Sequence, residues 1–562
     1  MRRILVALVT LCAVPGPTPD AWAEDACPAF SLLSLTCENG TCDRLLGEDA
    51  ATCPGDCLDG RNHVKPYYSL AVSCPATKIY RPATVAQARQ AMRRSVSRGR
   101  RVRVVGTAHT ASKAICVEDG NVISTEGLTR ILGLETYKGQ AVVHVEAGAH
   151  IWDIAEYLHA RGKALGYAIP GYGDISIGGF VAVGGHGSDA TGSATISSLV
   201  VSLEKMDPQG RLATHDAQSA SPDRWRALRG DLGMLGMTVR LRLRVRDQFH
   251  VRQTILSFSG AELFRANGLK TIADGCEYMF ATYFNSVDRL DVTCGRETVD
   301  AVTADDARMT LFIPDLPGRL QNLAVAGFQR AACHPESAQL LERLLYEFRQ
   351  SQPWIEWTDA DGQPRRATEA VGYSHRMVET TFRGLARRKF SNLDWEVALP
   401  ESEIDAALAY VKGKLDEHRL YNPAIGVVLR ADRAVTDTLL ASAAAGSGVP
   451  AGARIYHLEF PIFWPYSFSA EQMAAYQAPY AEMILHLVRH HRARPHLGKN
   501  RSDIFADPVT LAANADRRAL FQPFIDEMDP AGVFANEFLR QAGFSWPAER
   551  QGATNSRKRS RR

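Results

Sequence analysis

The sequence has no excess of charge of one sign: 65 Lys and Arg stand against 62 Asp and Glu, a formal net charge of +3 over 562 residues. That balance gives no global electrostatic reason to expect a nucleic-acid partner. Long hydrophobic runs are scarce too. The apolar stretch Ile4 to Val14 is too short to span a bilayer and no later run is long and uncharged enough, so no membrane span is expected. Internal repeats are lacking, and the only low-complexity tract is the basic end Arg557-Lys558-Arg559-Ser560-Arg561-Arg562, read as a solvated tail. No histidine is interleaved between Cys27 and Cys57, which disfavours zinc. The acidic residues Glu38, Asp43, Glu48, Asp49 and Asp56 lack EF-hand spacing and are read as solvated surface, so no metal site is assigned.

What is present begins with a signal-peptide pattern. Met1-Arg2-Arg3 precedes the apolar stretch, and Ala21-Trp22-Ala23 supplies small residues for cleavage after Ala23. The expected location is therefore secreted or periplasmic. Removing Cys12 with that peptide leaves ten cysteines, six of them between Cys27 and Cys74. An even count in an oxidising compartment reads as disulfides, with connectivity left open by the spacing. The stretch 24–74 has turn formers between its cysteines and almost no apolar periodicity, so crosslinks rather than a core should hold it.

From Ile79 the pattern changes. Thr84 with Gln87 three residues on forms a capping box for a helix reaching about Gly99, followed by a strand from Arg101 to Val105. Strands at Val142 to Glu146 and Leu199 to Lys205, with a helix from Ile151 to Arg161 between them, predict an α+β domain over 75–245. Beyond it, strands at Leu393 to Ala398 and Ile425 to Arg430 and a helix at Ser402 to Leu415 predict a second α+β domain over 246–545, leaving 546–562 as tail.

Two glycine-rich elements lie in the first of these domains. Gly106-Thr107-Ala108-His109-Thr110-Ala111 follows a strand, where small residues let backbone N–H groups approach a pyrophosphate closely. The second runs from Pro170-Gly171-Tyr172-Gly173-Asp174-Ile175-Ser176-Ile177-Gly178-Gly179 to Gly184-Gly185-His186-Gly187-Ser188. Together with Val145-Glu146-Ala147-Gly148 and Gly230-Asp231-Leu232-Gly233-Met234-Leu235-Gly236, these residues resemble the FAD-binding domain of the vanillyl-alcohol oxidase superfamily, in its aldonolactone and alditol oxidase branch.

The resemblance implies an FAD cofactor held by Gly106, Thr107, Ala108, Thr110, Gly173, Asp174, Ile177, Gly178, Gly179, Gly184, His186 and Gly187. It makes His109 the candidate for a covalent bond to the flavin 8α carbon; the alternative is a loop histidine that touches the flavin without bonding. Relatives with two flavin bonds carry a cysteine in the second element. Here Pro170 to Gly187 contains none, so one bond is the maximum expected.

The second domain matches more thinly. His496-Leu497-Gly498-Lys499 resembles a C-terminal motif whose histidine and lysine point toward substrate and flavin. Near Asn422-Pro423, where the branch carries Glu-x-Arg, this sequence reads Val428-Leu429-Arg430: the arginine is kept and the glutamate is not. Glu396, beside Trp395, is a further candidate polar contact, and Asp529 to Asn536 resembles the closing segment that returns to the FAD domain. The expected catalytic set is Arg430, Lys499, His496 and Glu396. The resulting expectation is oxidation of an alcohol carbon of an aldonolactone, alditol or related sugar-like substrate by hydride transfer to flavin N5, with oxygen or another electron acceptor reoxidising the flavin. The missing glutamate keeps open an alternative, a non-catalytic binding protein on a flavoprotein fold.

Overall fold

The computed structural model describes residues 63–64, 74–166, 173–192, 195–304, 308–309, 334–350, 355–358, 361–377, 391–422, 425–446, 448–464 and 470–550. The signal peptide, nearly all of the cysteine-rich module, Pro170-Gly171-Tyr172, Cys333, Pro423 and the basic run at the C-terminus lie outside the described residues.

The first unit starts with β1 (Lys78–Tyr80), α1 (Val85–Ser97), β2 (Val102–Val105) and β3 (Asn121–Ser124). In α1, Val85, Ala88, Met92 and Ser95 recur at helical spacing and form the buried stripe. Thr84 caps it, accepting from Gln87 N at 3.2 Å, but Gln87 Oε1 reaches back to Ala83 N at 2.8 Å, one residue before the position a capping box uses. The three strands form a parallel sheet in the order β1-β3-β2.

An antiparallel sheet of five follows, built from β4 (Ile131–Tyr137), β5 (Gln140–Glu146), β6 (Val200–Met206), β7 (Leu212–Asp216) and β8 (Met237–Arg244) in the order β7-β6-β8-β5-β4. Helix α2 (Ile151–His159) buries Ile151, Ile154 and Leu158 against Val143 and Val145 of β5. The short helix α3 (Ile177–Ala182) carries the second glycine-rich element across this core.

The second unit is dominated by an eight-stranded antiparallel sheet: β9 (His250–Ser259), β10 (Tyr278–Phe284), β11 (Arg289–Thr298), β12 (Glu369–Tyr373), β13 (Ser391–Pro400), β14 (Val427–Arg433), β15 (Arg454–Trp464) and β16 (Arg494–Pro495), in the order β12-β9-β11-β10-β14-β15-β13-β16. Alternation along its central strands decides what each face does. Leu393, Trp395, Val397 and Leu399 of β13, Leu429 and Ala431 of β14, and Tyr456, Leu458, Phe460 and Ile462 of β15 form one apolar core with α4 (Ile404–Glu417) and α5 (Ala470–His490). The opposite face carries Asp394, Glu396, Arg430, Asp432, His457 and Glu459 and turns toward the glycine-rich loops.

After the second unit the chain returns to the first. Val102 N donates to Val533 O at 2.7 Å, Arg103 to Phe534 O at 2.9 Å, and the Asn536 amide to carbonyls of Lys113, Ala114 and Cys116. The folded body runs further than the 546–562 tail boundary allows: Trp546 is fully buried, and its indole N–H donates to Asp529 at 3.1 Å. An apolar core rather than charge balance decides that position.

Two disulfides join described residues, Cys74 to Cys116 and Cys276 to Cys294. The first ties the end of the cysteine-rich stretch to the loop after β2. Among the described residues, no helix is long and apolar enough to cross a membrane.

Candidate active site

A long cleft with a volume of about 190 Å³ separates the glycine-rich loops from the polar face of the eight-stranded sheet. One wall is made by Gly106 to Ala111, Ser176, Gly178, Gly179, Gly185 and His186, with Leu232, Gly233 and Gly236 beside them. The other is made by Phe280, Asp394, Val428, Arg430, Glu459, His496 and Lys499.

The first wall is shaped by the absence of side chains. A Cβ on Gly106 would sit 1.8 Å from Ser176 Oγ, so only glycine lets the two loops meet. Ala108 adopts φ +57°, a left-handed conformation that costs an alanine on the order of 1 kcal/mol. Thr110 N donates to Ala108 O at 2.8 Å and closes that turn. Thr110 then stitches the walls together: its hydroxyl donates to Gly498 O at 2.7 Å and Ala111 N to the same oxygen at 2.9 Å. The loop after β2 and the His496 to Lys499 motif, nearly 390 residues apart in sequence, are therefore one structural piece. Arg103 braces the loops from below, donating to Ala114 O, Leu232 O and Phe534 O, and its burial lowers its pKa to about 10.

His109 faces the cleft with its side chain 5% exposed. Thr107 Oγ1 lies 3.0 Å from its Nδ1, and Asp174 Oδ1 lies 3.4 Å from its Nε2. Ser176 N donates to the same Thr107 oxygen at 3.1 Å, which leaves the hydroxyl proton free to point at the imidazole. Burial lowers the pKa of His109, with Asp174 opposing in part, so the ring is neutral near pH 7.

Not every glycine-rich residue assigned to the cofactor lines the cleft. Gly184, at φ +68°, packs on Ala441, which a Cβ would approach to 2.4 Å. Ile177 is fully buried in the core, Gly173 O accepts from Trp152 N at 2.8 Å, and Gly187 O meets His186 Nδ1 at 3.1 Å. Asp174 stands behind His109 rather than on the wall. These residues set the loops in place; side-chain-free backbone is needed for such packing as much as for cofactor approach, and the two uses look alike in a sequence.

The second wall is a chain of buried charges. Glu396 and Glu459 sit directly opposite one another on β13 and β15, an arrangement that like charges disfavour. Lys499 resolves it, with Nζ 2.8 Å from Glu396 and 2.5 Å from Glu459. Arg430 is mid-strand and buried rather than at a solvated strand end, and it pairs with the other oxygen of Glu459. Val428, at the position where the Glu-x-Arg glutamate was expected, has Glu459 as its direct cross-strand partner. The carboxylate missing from β14 thus enters from β15.

Behind this wall, Glu396 is fully buried and does not line the cleft. Its Oε1 lies 2.7 Å from His186 Nε2 and 3.2 Å from His457 Nδ1, and the two imidazoles stack at 3.5 Å. His457 Nε2 faces Asp432 at 3.4 Å. Burial alone would lower the pKa of His457, but Asp432 and Glu396 raise it above the ordinary value. Burial would raise Glu396; Lys499 and His186 pull it well below the carboxylate range instead. Glu459 is likewise lowered against burial by Lys499 and Arg430, and Lys499 is held above its usual value by Glu396 and Glu459 in spite of burial. His496 is neutral, lowered to about 4 by burial, and its Nδ1 accepts from Gly498 N at 3.1 Å. The His186, Glu396 and His457 donors lie within 4.8 Å of one another, close enough for a metal, but the carboxylate is already engaged by both rings and by Lys499.

The structure thus brings His109, Thr110, His186, Arg430, His496 and Lys499 to one cleft and adds Asp394 and Glu459 on its wall and His457 behind it, none of which the sequence motifs pointed to. Their only sequence signal is alternation: Asp394 and Glu396, like His457 and Glu459, are polar residues two apart in otherwise apolar strands.

Comparison with known proteins accords with this geometry. Residues 76–216 match an FAD binding domain and residues 328–542 a D-arabinono-1,4-lactone oxidase domain. The D-arabinono-1,4-lactone oxidase of Kluyveromyces lactis is 26% identical over 250 residues, covering 43% of this chain and 46% of that protein. The L-gulonolactone oxidase of Mus musculus is 29% identical over 33% of this chain and 41% of its own length, so the matches with these curated relatives span less than half of each relative. That of Scyliorhinus torazame is 23% identical over 85% of this chain and 97% of its own. Among solved structures, cholesterol oxidase from B. sterolicum shares the fold with a TM-score of 0.65 at 16% identity, covering 84% of this chain and 94% of that one. The segment that matches an FAD binding domain and the segment that matches a D-arabinono-1,4-lactone oxidase domain thus face one another across one cleft, lined by residues of both.

Proposed function

We propose that this protein is an FAD-dependent oxidoreductase that oxidises a CH–OH carbon of an aldonolactone, alditol or related sugar-like substrate. The observation that carries the reading is the Arg430–Glu459–Lys499 ion network on the cleft wall opposite the His109 loop. The small-residue wall fits a flavin nucleotide: Gly106, Ala108, Gly178, Gly179, Gly233 and Gly236 leave backbone rather than side chains against it. Bound there, FAD would supply the hydride acceptor and pass electrons on to oxygen or another acceptor.

The chain's own groups do the rest. Arg430 offers N–H donors to the substrate oxygen, and its charge favours that oxygen as it becomes electron-rich. Glu459, held ionised by Lys499 and Arg430, accepts a hydrogen bond from the reacting hydroxyl and takes its proton as the hydride departs. Lys499 offsets negative charge that develops in the cleft, and neutral His496 bonds without adding charge. Retention of a carboxylate beside Arg430 removes the ground for the non-catalytic alternative.

The same proposal includes a covalent flavin on His109. Its support is a neutral imidazole held on both sides, by Thr107 and Asp174, and presented to the cleft. Export is proposed as well, in keeping with the Cys74–Cys116 and Cys276–Cys294 disulfides.

The test is anaerobic mixing of the purified protein with aldonolactones and alditols while the flavin absorbance is followed. Bleaching by a member of either class is expected; a flavin left oxidised by every one would sink the catalytic reading.

A further inference from the structure

One carboxyl on the cleft wall plays no part in the proposed reaction. Asp394 of β13 lines the cleft, is 8% exposed, and its Oδ1 has no hydrogen-bond partner among the described residues. A buried carboxylate left so would carry a full desolvation cost with little return. A carboxylic acid would not, and it could both donate to and accept from a ligand hydroxyl.

The surrounding charges come from every element packed there. Lys499 faces Asp394 from the 496–500 segment, Arg430 from β14, Glu459 from β15, and Glu396 from its own strand. Two cations stand against two carboxylates, so the wall is electrically neutral when Asp394 carries its proton and has an excess negative charge when it does not.

We infer that Asp394, in its protonated form, is a specificity-determining residue that hydrogen-bonds a hydroxyl of the substrate beside the reacting carbon and tunes the site for uncharged polyhydroxylated molecules over their carboxylates. This rests on the substrate class proposed above. Burial, with Glu459 and Glu396 assisting against Lys499, raises its pKa to about 7, which puts the change of state within the working pH range.

If only the protonated site binds, the apparent dissociation constant of a neutral ligand rises about tenfold between pH 6 and pH 8. The experiment uses the flavin-loaded protein, with xylitol and L-gulono-1,4-lactone as neutral probes and sodium L-gulonate as the anionic one. KM and kcat are measured across that range, and binding of xylitol is followed separately by calorimetry. Wild type should show the tenfold rise in KM with a smaller change in kcat, and reject gulonate more strongly at pH 8 than at pH 6. Asp394→Asn should flatten the rise, and Asp394→Ala should raise KM at pH 6 about tenfold or more with flavin content unchanged.

A wild-type KM and xylitol affinity that do not respond to pH overturn the inference, as does an unaltered pH response in Asp394→Asn. Should no probe reduce the flavin, the proposed reaction fails, and calorimetry still decides on Asp394. Xylitol binding that weakens with pH in wild type but not in Asp394→Asn upholds it; absent binding overturns it.

Discussion

Replacing Glu459 with glutamine takes one negative charge from between two cations while keeping shape and hydrogen-bonding atoms. Lys499 Nζ is 2.5 Å from Glu459 Oε1, and at an effective dielectric of about 20 that contact alone has a gross attraction of roughly 7 kcal/mol. Most of it is offset by desolvation, and losing one partner of such a buried pair costs about 3–5 kcal/mol of stability. Glutamine should recover part of this through its carbonyl, so a loss of about 2–3 kcal/mol is expected in denaturant unfolding. Loss of the proton acceptor should slow anaerobic flavin bleaching by about 10²- to 10⁴-fold, or roughly 3–5 kcal/mol on the barrier. A second variant separates chemistry from packing. Val428 and Glu459 are cross-strand partners, so Val428→Glu combined with Glu459→Val conserves volume and moves the carboxylate across a gap of about 5 Å. It should bleach at least tenfold faster than Glu459→Val alone. Bleaching by Glu459→Gln within threefold of wild type would refute the role of this carboxylate.

The remaining predictions concern the other wall and the buried relay. His109→Ala should bind flavin that acid precipitation releases, and Asp174→Asn should lower the covalently retained fraction while noncovalent binding persists, read from the colour of pellet and supernatant. Lys499→Met leaves Glu396 and Glu459 face to face; lower thermal stability and a slower bleaching rate, about 10²-fold or more, should appear together in scanning calorimetry and rapid mixing. Because the folded-state pKa of His457 is raised, its contribution to stability is complete below pH 6.5 and is lost as pH climbs through that raised value. Asp432→Asn should therefore be less stable than wild type at pH 6, with the gap closing toward alkaline pH in chemical-denaturation curves.

Local order and local chemistry were legible in the sequence. A strand followed by Gly106 to Ala111 announces a loop for close backbone approach, and a histidine in such a loop or a lysine directly after a glycine is a feature of the chain itself, readable wherever it folds. The resemblance carried by these motifs gave the cofactor, the fold class and the candidates His109, Arg430 and Lys499. Three things depended on tertiary structure. Arg430 acquires its carboxylate from Glu459, 29 residues away, because the β14–β15 register sets that pair, and register is a property of two strands rather than one. The pKa of Asp394 is raised chiefly by burial, which no neighbour in sequence supplies. Gly184 and Ile177 serve packing while Gly178 and Gly179 border the cleft, since a glycine-rich run says that side chains are excluded but not what excludes them. Sequence thus settled which chemistry the chain can display, and the pairing of distant strands decided which of its charged groups meet.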